Sequence, residues 1–429
     1  MNRRWWSWYV LFIQRRRVTV VAAVTLAIAF TGAMLGVAAP VRVTAAPAIR
    51  VLLPAASALG RIGSAGSMVF TERDGQRLLA RARPNESWRI ERDGLRLRVV
   101  RGDGMPTAWT TGPILVRPET NEPITLGAKS YRGELFLHTA DTGAFIVNRL
   151  SIEDYVRGVV PLEIGGRLDA DSAAVQAQAV TARSYAYVHL VTDPLRAYDV
   201  TAGVNDQVYG GVGAENAVSN RAIEATRGLV LTYAGRTVNA PYHSTCGGTT
   251  ATASEVWRST DEPYLRRVSD RIPGSDRFYC DIAPRFSWTR TLDARTLNAA
   301  LSQYLVNYVD VPGRVPGVAR SVSIASRTLS GRAERLTIAT DRGTFSLRGN
   351  EMRYVLREPG GEILNSTYFS VETSAGLDGA LARLTVRGTG YGHGVGMCQW
   401  GAIGRARAGQ DFRTILRSYY PGTSVGLAN

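Results

Sequence analysis

The sequence predicts an α+β fold: a β-rich N-terminal part, a central helical pair carrying a carboxylate-bearing loop, and a mixed α/β C-terminal part. Three observations predict it. Leu95-Arg96-Leu97-Arg98-Val99-Val100 alternates with the period of a half-buried strand. The stretch from Asn148 to Leu190 has apolar residues at helical spacing, with Pro161 between its two halves. After Tyr198, short strand and helix patterns alternate to the C-terminus, and no internal repeat is visible. The expected domains are 1–48, a basic tail with an apolar segment, 49–148, a β-rich lead-in, and 149–429, the functional core.

The 429 residues are enough for a sizeable core. Basic residues number 51 against 36 acidic, and every basic residue but Lys129 is arginine. A net charge of +15 calls for an anionic partner, such as an envelope polymer or a membrane surface. The arginines are scattered through strand patterns and no nucleic-acid motif accompanies them, so nucleic acid is not expected as a partner.

At the N-terminus, Arg3, Arg4 and Arg15 to Arg17 precede an apolar run from Val18 to Ala39. Such a run, ~20 residues long, is the pattern of an export signal with its N-terminus inside, and is long enough to span a bilayer. Ala38–Ala39 and Ala45–Ala46 offer cleavage sites, but each pair is followed by proline. An uncleaved membrane anchor is therefore preferred to a cleaved signal, and the body of the protein is expected in the cell envelope.

Within the lead-in, Ile49 to Leu53 reads as a strand, and Leu135–His138 with Phe145–Val147 reads as a hairpin about Asp141-Thr142-Gly143. Barrel and sandwich both fit. His138 lies in a strand and is expected to do no more than pack. In the central stretch, Ser151 with Asp154 resembles a capping box, and Pro161 predicts that the first helix stops at Val160. Asp171 is the expected cap of a second, mostly apolar helix. Arg183 on that helix is costly to bury unless it faces an anion, a carboxylate or a polar cleft, and Gln176 shares its face. Glu163 falls in the expected loop between Leu162 and Ile164. A carboxyl among apolar neighbours has its pKa raised, as a general acid at neutral pH requires.

Further on, a helix is expected at Asn216–Thr226 and a hairpin from Leu229 to Tyr242 about Ala234-Gly235. Another helix is expected near 294–305, with strands near 322–326 and 335–338. His243-Ser244-Thr245-Cys246-Gly247-Gly248 suggests a Cys–His nucleophile, but its spacing fits no thiol-protease signature, and the glycine pair suits close approach of backbone. His243, Cys246 and Cys280 would be three zinc ligands without an obvious fourth, so no metal or cofactor is expected. In an oxidising compartment Cys246 and Cys280 are expected to form a disulfide, leaving Cys398 odd. Glycines alternating from Gly388 to Gly396 lack the lysine of a phosphate loop; with His393 among them they suit the floor of a saccharide cleft.

Five motifs in order, Y-V-R-G-V-V-P-L-E-I, Q-A-V-T-A-R-S-Y, D-Q-V-Y-G-G, H-S-T-C-G-G-T-T and G-Y-G-H-G-V-G-M-C-Q-W-G-A, resemble the stage II sporulation protein D family of amidase enhancers and lytic transglycosylases. The resemblance spans Ile49 to Ser424. It implies cleavage of peptidoglycan glycan strands by non-hydrolytic transglycosylation, with Glu163 at the family's catalytic position. It also implies substrate-binding positions at Arg183, Tyr209, His243, Thr250, Tyr264 and His393. Some members carry Cys and His zinc ligands just before the Gln-x-Tyr element, where this chain has Thr201 to Asp206, with no thiol or imidazole. Members occur in bacteria that make no spores, so sporulation is not implied. The function expected is lytic transglycosylation of glycan strands, with a cell-wall amidase as a partner. The alternative is a non-catalytic wall-binding module that recruits or stimulates an N-acetylmuramoyl-L-alanine amidase.

Overall fold

In the computed structural model the described residues are 47–428, apart from 56–59, 73–74, 76, 191–192, 194 and 377–378. The alternation of the first hundred of them builds eleven strands. These are β1 (Ala48–Leu52), β2 (Ile62–Ser64), β3 (Met68–Glu72), β4 (Arg77–Ala82), β5 (Trp88–Asp93) and β6 (Arg96–Arg101), then β7 (Ile114–Pro118), β8 (Ile124–Leu126), β9 (Lys129–Tyr131), β10 (Glu134–Ala140) and β11 (Gly143–Ser151). With β12 (Val200–Thr201), seven form a sheet in the order β12-β1-β11-β10-β7-β3-β4, and five form a second in the order β6-β5-β2-β8-β9. The choice between barrel and sandwich resolves as two open sheets sharing one core, where the rings of Phe70 on β3 and Trp88 on β5 lie 4.9 Å apart. The expected hairpin is β10–β11, closed at Ala140↔Gly143. His138 stacks on Phe145 at 4.9 Å across that hairpin, a packing role.

Three helices pack on one another: α1 (Ile152–Ile164), which also lies against β1 and β11 of the larger sheet, α2 (Ser172–Val188) and α3 (Ala217–Ala225). Ser151 caps α1, its Oγ accepting from the Asp154 N–H at 3.1 Å. The helix does not stop before Pro161. It runs three residues further to Ile164 and ends at Gly165, whose φ of 78° suits glycine. A proline ring forfeits one helical hydrogen bond; here burial of Val159, Val160, Pro161 and Ile164 in the core outweighs that loss. Glu163 is therefore a residue of the last helical turn, not of a loop. Asp171 occupies the N-cap position of α2 without capping it, because its carboxylate binds Arg407 at 2.7 and 3.2 Å.

The core of α1, α2 and the two sheets is continuous from Ile49 to Tyr420. Residues 46–429 form one compact unit, and the boundary expected at 148/149 falls inside β11. A second core, from Leu292 to Val386, lies under two three-stranded sheets and the helix Ala294–Tyr304. The hairpin expected up to Tyr242 closes earlier, with Arg236–Thr237 on Leu229–Tyr233. Tyr242–His243 instead pairs in parallel with Met397–Cys398, which brings the two glycine-bearing motifs side by side. Gly392, with φ at 111°, allows this approach: a Cβ there would sit 2.8 Å from the His243 Cβ. Gly392→Ala is expected to destabilise the protein by about 1–3 kcal/mol, through both the clash and the backbone strain. Denaturant unfolding checks this; a midpoint equal to wild type would show that the two motifs are not packed so closely.

Among the described residues no helix is long and apolar enough to cross a membrane. The Val18–Ala39 run expected to serve as an anchor lies outside the described residues.

Candidate active site

The end of α1, the end of α2, the loop after β12 and the paired motifs enclose a cleft of about 890 Å³. Glu163 lines it together with Tyr185, Asp206, Gln207, Tyr242, His243 and His393. That size suits a small-molecule or short oligosaccharide segment.

Glu163 is half-buried, and its Oε1 accepts the Val208 N–H at 2.8 Å. Burial pushes its pKa up, against the lowering effect of the hydrogen bonds from Val208 and Tyr242. Gln207 donates from Nε2 to the Tyr242 hydroxyl at 2.9 Å, which leaves the phenolic proton free to point at Glu163. Burial also drives the Tyr242 pKa well up, so the phenol stays protonated as a donor.

Asp206 is the other carboxylate in the lining. Its oxygens are engaged by Thr201 at 2.7 and 2.9 Å and by the Tyr185 hydroxyl at 2.9 Å. Burial alone would raise its pKa, but these donors bring it below the usual carboxylate range. Glu163 and Asp206 are thus set in opposite directions: one favours its proton, the other its charge.

The two histidines stand on the cleft floor, 5.4 Å apart, and Trp257 lies 4.9 Å from His393. Burial, then the Arg332 charge, depresses His243 to about 3; burial and His243 depress His393 as well. Both rings are neutral at neutral pH and act as hydrogen-bonding groups. His243 Nδ1 is bonded to the Val395 carbonyl at 3.1 Å, while its buried Nε2 has no partner among the described residues. Arg353 adds a cation to the wall, held by the Leu364 carbonyl at 2.7 Å and by Asn350 at 3.2 Å.

Four of the residues expected to bind substrate lie elsewhere. Arg183 is fully buried in a bidentate pair with Glu153, at 2.8 and 2.9 Å. Tyr209 is buried against Tyr155 and donates to Asn148 Oδ1 at 2.8 Å. Thr250 is buried, its hydroxyl donating to the Arg266 carbonyl at 3.0 Å and accepting from the Val268 N–H at 2.8 Å. Tyr264 packs on Tyr233 at 5.6 Å. Each satisfies its polar group within the fold, so none is presented to a ligand in the cleft. Glu153 and Asp154 are likewise spent, on Arg183 and on Ser151. The disulfide expected between Cys246 and Cys280 is not formed: the sulfurs are 3.5 Å apart, against ~2.05 Å for a bond. Cys398 is not isolated, since its Sγ accepts the Cys246 N–H at 3.2 Å.

Residue-by-residue reading missed Tyr185, Gln207 and Tyr242. The first two lie inside the quoted motifs, but nothing in their spacing distinguishes a residue facing the cleft from one facing the core.

The family profile described as stage II sporulation protein matches residues 140–233, a segment holding Glu163, Tyr185 and Gln207. A second profile, for a domain of unknown function, matches residues 275–396. Over 308 residues the chain is 31% identical to an uncharacterised protein of Brachyspira hyodysenteriae, covering 72% of this chain and 75% of that one. The chain belongs to the stage II sporulation protein D family. It is also 27% identical over 338 residues to stage II sporulation protein D of Bacillus subtilis, covering 75% of this chain and 85% of that protein. With the Bacillus subtilis amidase enhancer it shares 31% identity over 310 residues, 63% of this chain but 40% of the enhancer. The loop in which some members are expected to carry zinc ligands does not fit a metal here. Between Thr201 and Asp206 the one potential ligand is Asp206, and Thr201 and Tyr185 already occupy its oxygens.

Proposed function

We propose that this protein cleaves peptidoglycan glycan strands by lytic transglycosylation, with Glu163 as the single acid–base and the catalytic body outside the cytoplasm. A peptidoglycan-related role fits its membership of the family. The observation that carries the finer reading is Glu163 itself: a half-buried carboxyl in the cleft, with raised pKa, beside a carboxylate already engaged by its neighbours. Ordinary glycoside hydrolysis needs two working carboxyl groups. Transglycosylation needs one, used twice. Protonated Glu163 gives its proton to the glycosidic oxygen between N-acetylmuramic acid and N-acetylglucosamine. The carboxylate then takes the proton of the muramic 6-hydroxyl as that oxygen attacks C1, leaving a 1,6-anhydro end. Tyr242 and the Val208 N–H stabilise the carboxylate between the two steps.

Mass spectrometry of purified glycan strands after incubation tests this: anhydromuramic ends are expected, and their absence overturns the transglycosylase. Similarity to an amidase enhancer favours a second reading, a non-catalytic module that binds the wall and stimulates an amidase partner. A protein that binds glycan, cleaves none and raises amidase activity would establish that reading. In either case the N-terminal basic and apolar segment would hold the protein at the membrane.

The hydroxyl of Tyr242 lowers the Glu163 pKa, so removing it must raise that pKa further. Tyr242→Phe is therefore expected to move the alkaline limb of kcat to higher pH, because the acid form persists longer. A kcat–pH profile of the variant with an unmoved alkaline limb would separate Tyr242 from the acid–base.

A further inference from the structure

Behind the cleft floor lies a group of side chains that the glycan chemistry does not use. Cys246, Asp270, Cys280 and Cys398 come from four separate segments, all are buried, and their ligating atoms all lie within 4.8 Å of one another. We propose that these four residues bind one zinc ion, as a Cys3Asp centre that fastens the two cleft-floor motifs together.

The spacing of the ligating atoms matches that of a tetrahedral zinc site along two of its edges. Zn–S bonds of ~2.3 Å and Zn–O bonds of ~2.0–2.2 Å give tetrahedral edges of ~3.8 Å between sulfurs and ~3.6 Å from sulfur to oxygen. The Cys246–Cys280 edge is 3.5 Å and the Cys246 Sγ–Asp270 Oδ2 edge is 3.9 Å. Three thiols and a carboxylate packed this closely without a cation would crowd four polar or anionic groups where water is excluded.

The surroundings are arranged for ligands. Asp270 Oδ1 accepts from the Tyr419 hydroxyl at 2.7 Å and from Arg405 Nε at 3.3 Å, which fixes the carboxylate and turns Oδ2 toward the sulfurs. Backbone N–H groups point at two of the sulfurs: Gly248 at Cys246 (3.4 Å), and Cys246 and Gly401 at Cys398 (3.2 and 3.3 Å). Such donors stabilise a thiolate. Gly247 and Gly248, with φ at 76° and 113°, make the turn that returns the Gly248 N–H to Cys246. Arg332, fully buried, donates to the Cys246 and Thr249 carbonyls at 2.7 and 3.1 Å and offsets the negative charge of the set. His243 is not one of the four groups whose ligating atoms converge.

The parallel pairing of His243 with Cys398 brings the Cys246 segment to Cys398, the Asp270 N–H donates to the Gly248 carbonyl at 2.9 Å, and the Tyr279 N–H beside Cys280 donates to the Asp270 carbonyl at 2.9 Å. The ion would thus hold His243, three residues before Cys246, and His393, five residues before Cys398, in fixed relation. Its role is independent of the glycan chemistry: the zinc has no open position and takes no substrate. Binding releases the three thiol protons and leaves the sulfurs unavailable for oxidation.

The test uses the full chain purified without chelator. Metal analysis is expected to find about one zinc per chain, as one complete four-ligand set predicts. Replacement with Co2+ is expected to give the intense visible bands of tetrahedral cobalt and the near-ultraviolet sulfur-to-cobalt charge-transfer band. Asp270→Asn and Cys280→Ser are expected to lower zinc content. Should these variants fail to fold, the cobalt spectrum of the wild type still decides. A zinc-free chain whose three thiols all react in denaturant overturns the proposal. So does a chain lighter by two hydrogens with one reactive thiol, since two of the cysteines would then be joined. Zinc content unchanged in both variants would place the metal elsewhere and overturn it too.

Discussion

Glu163→Gln is expected to lower glycan cleavage by about 10²–10⁴-fold, the range that general acid–base catalysis supplies, while leaving glycan affinity near wild type. Glutamine keeps the acceptor for the Val208 N–H but cannot deliver a proton. The pH profile gives an independent check. Burial raises the Glu163 pKa, so the acid form needed for the first step is present below that raised value and is lost as pH rises through it. The wild type should therefore lose kcat on the alkaline side, and whatever activity Glu163→Gln retains should lack that limb. Anhydro-ended fragments released by Glu163→Gln at the wild-type rate would remove Glu163 from the mechanism.

The second large effect falls on stability. Arg183 is fully buried and holds Glu153 through two hydrogen bonds, with a third to the Leu229 carbonyl at 2.9 Å. Arg183→Ala leaves the Glu153 carboxylate buried with only the Gly228 N–H, at 3.1 Å, among the partners seen in the fold. Breaking a buried pair from one side costs about 3–5 kcal/mol, so a drop in Tm of several degrees is expected. Replacing both residues by Met should recover much of that loss, because the desolvation cost of both charges disappears together. A single variant with the wild-type Tm and weakened glycan binding would return Arg183 to the cleft.

These two residues show how far composition and spacing reach. Both were singled out on the same ground, a charge among apolar neighbours. For Glu163 that ground points to a raised pKa, and the side chain does line the cleft. For Arg183 it leaves carboxylate and cleft equally open. The choice depended on Glu153, thirty positions earlier on a different helix. Pro161 shows the same limit locally: proline disfavours a helix, yet burial of four residues in the last turns carries α1 past it.

By itself the sequence determined the α+β class, the β10–β11 hairpin, the existence of α1 and α2 and the family, because these follow from periodicity, capping and motifs read within short windows. Only the tertiary structure decided which motif residues face the cleft, and which are spent on one another. It also decided that Cys398 and Asp270 stand beside Cys246 and Cys280. The physical reason is that a side chain's partner is set by long-range packing: His243 meets Cys398 across 155 positions of chain through a two-residue parallel pairing. No spacing within either motif records that contact.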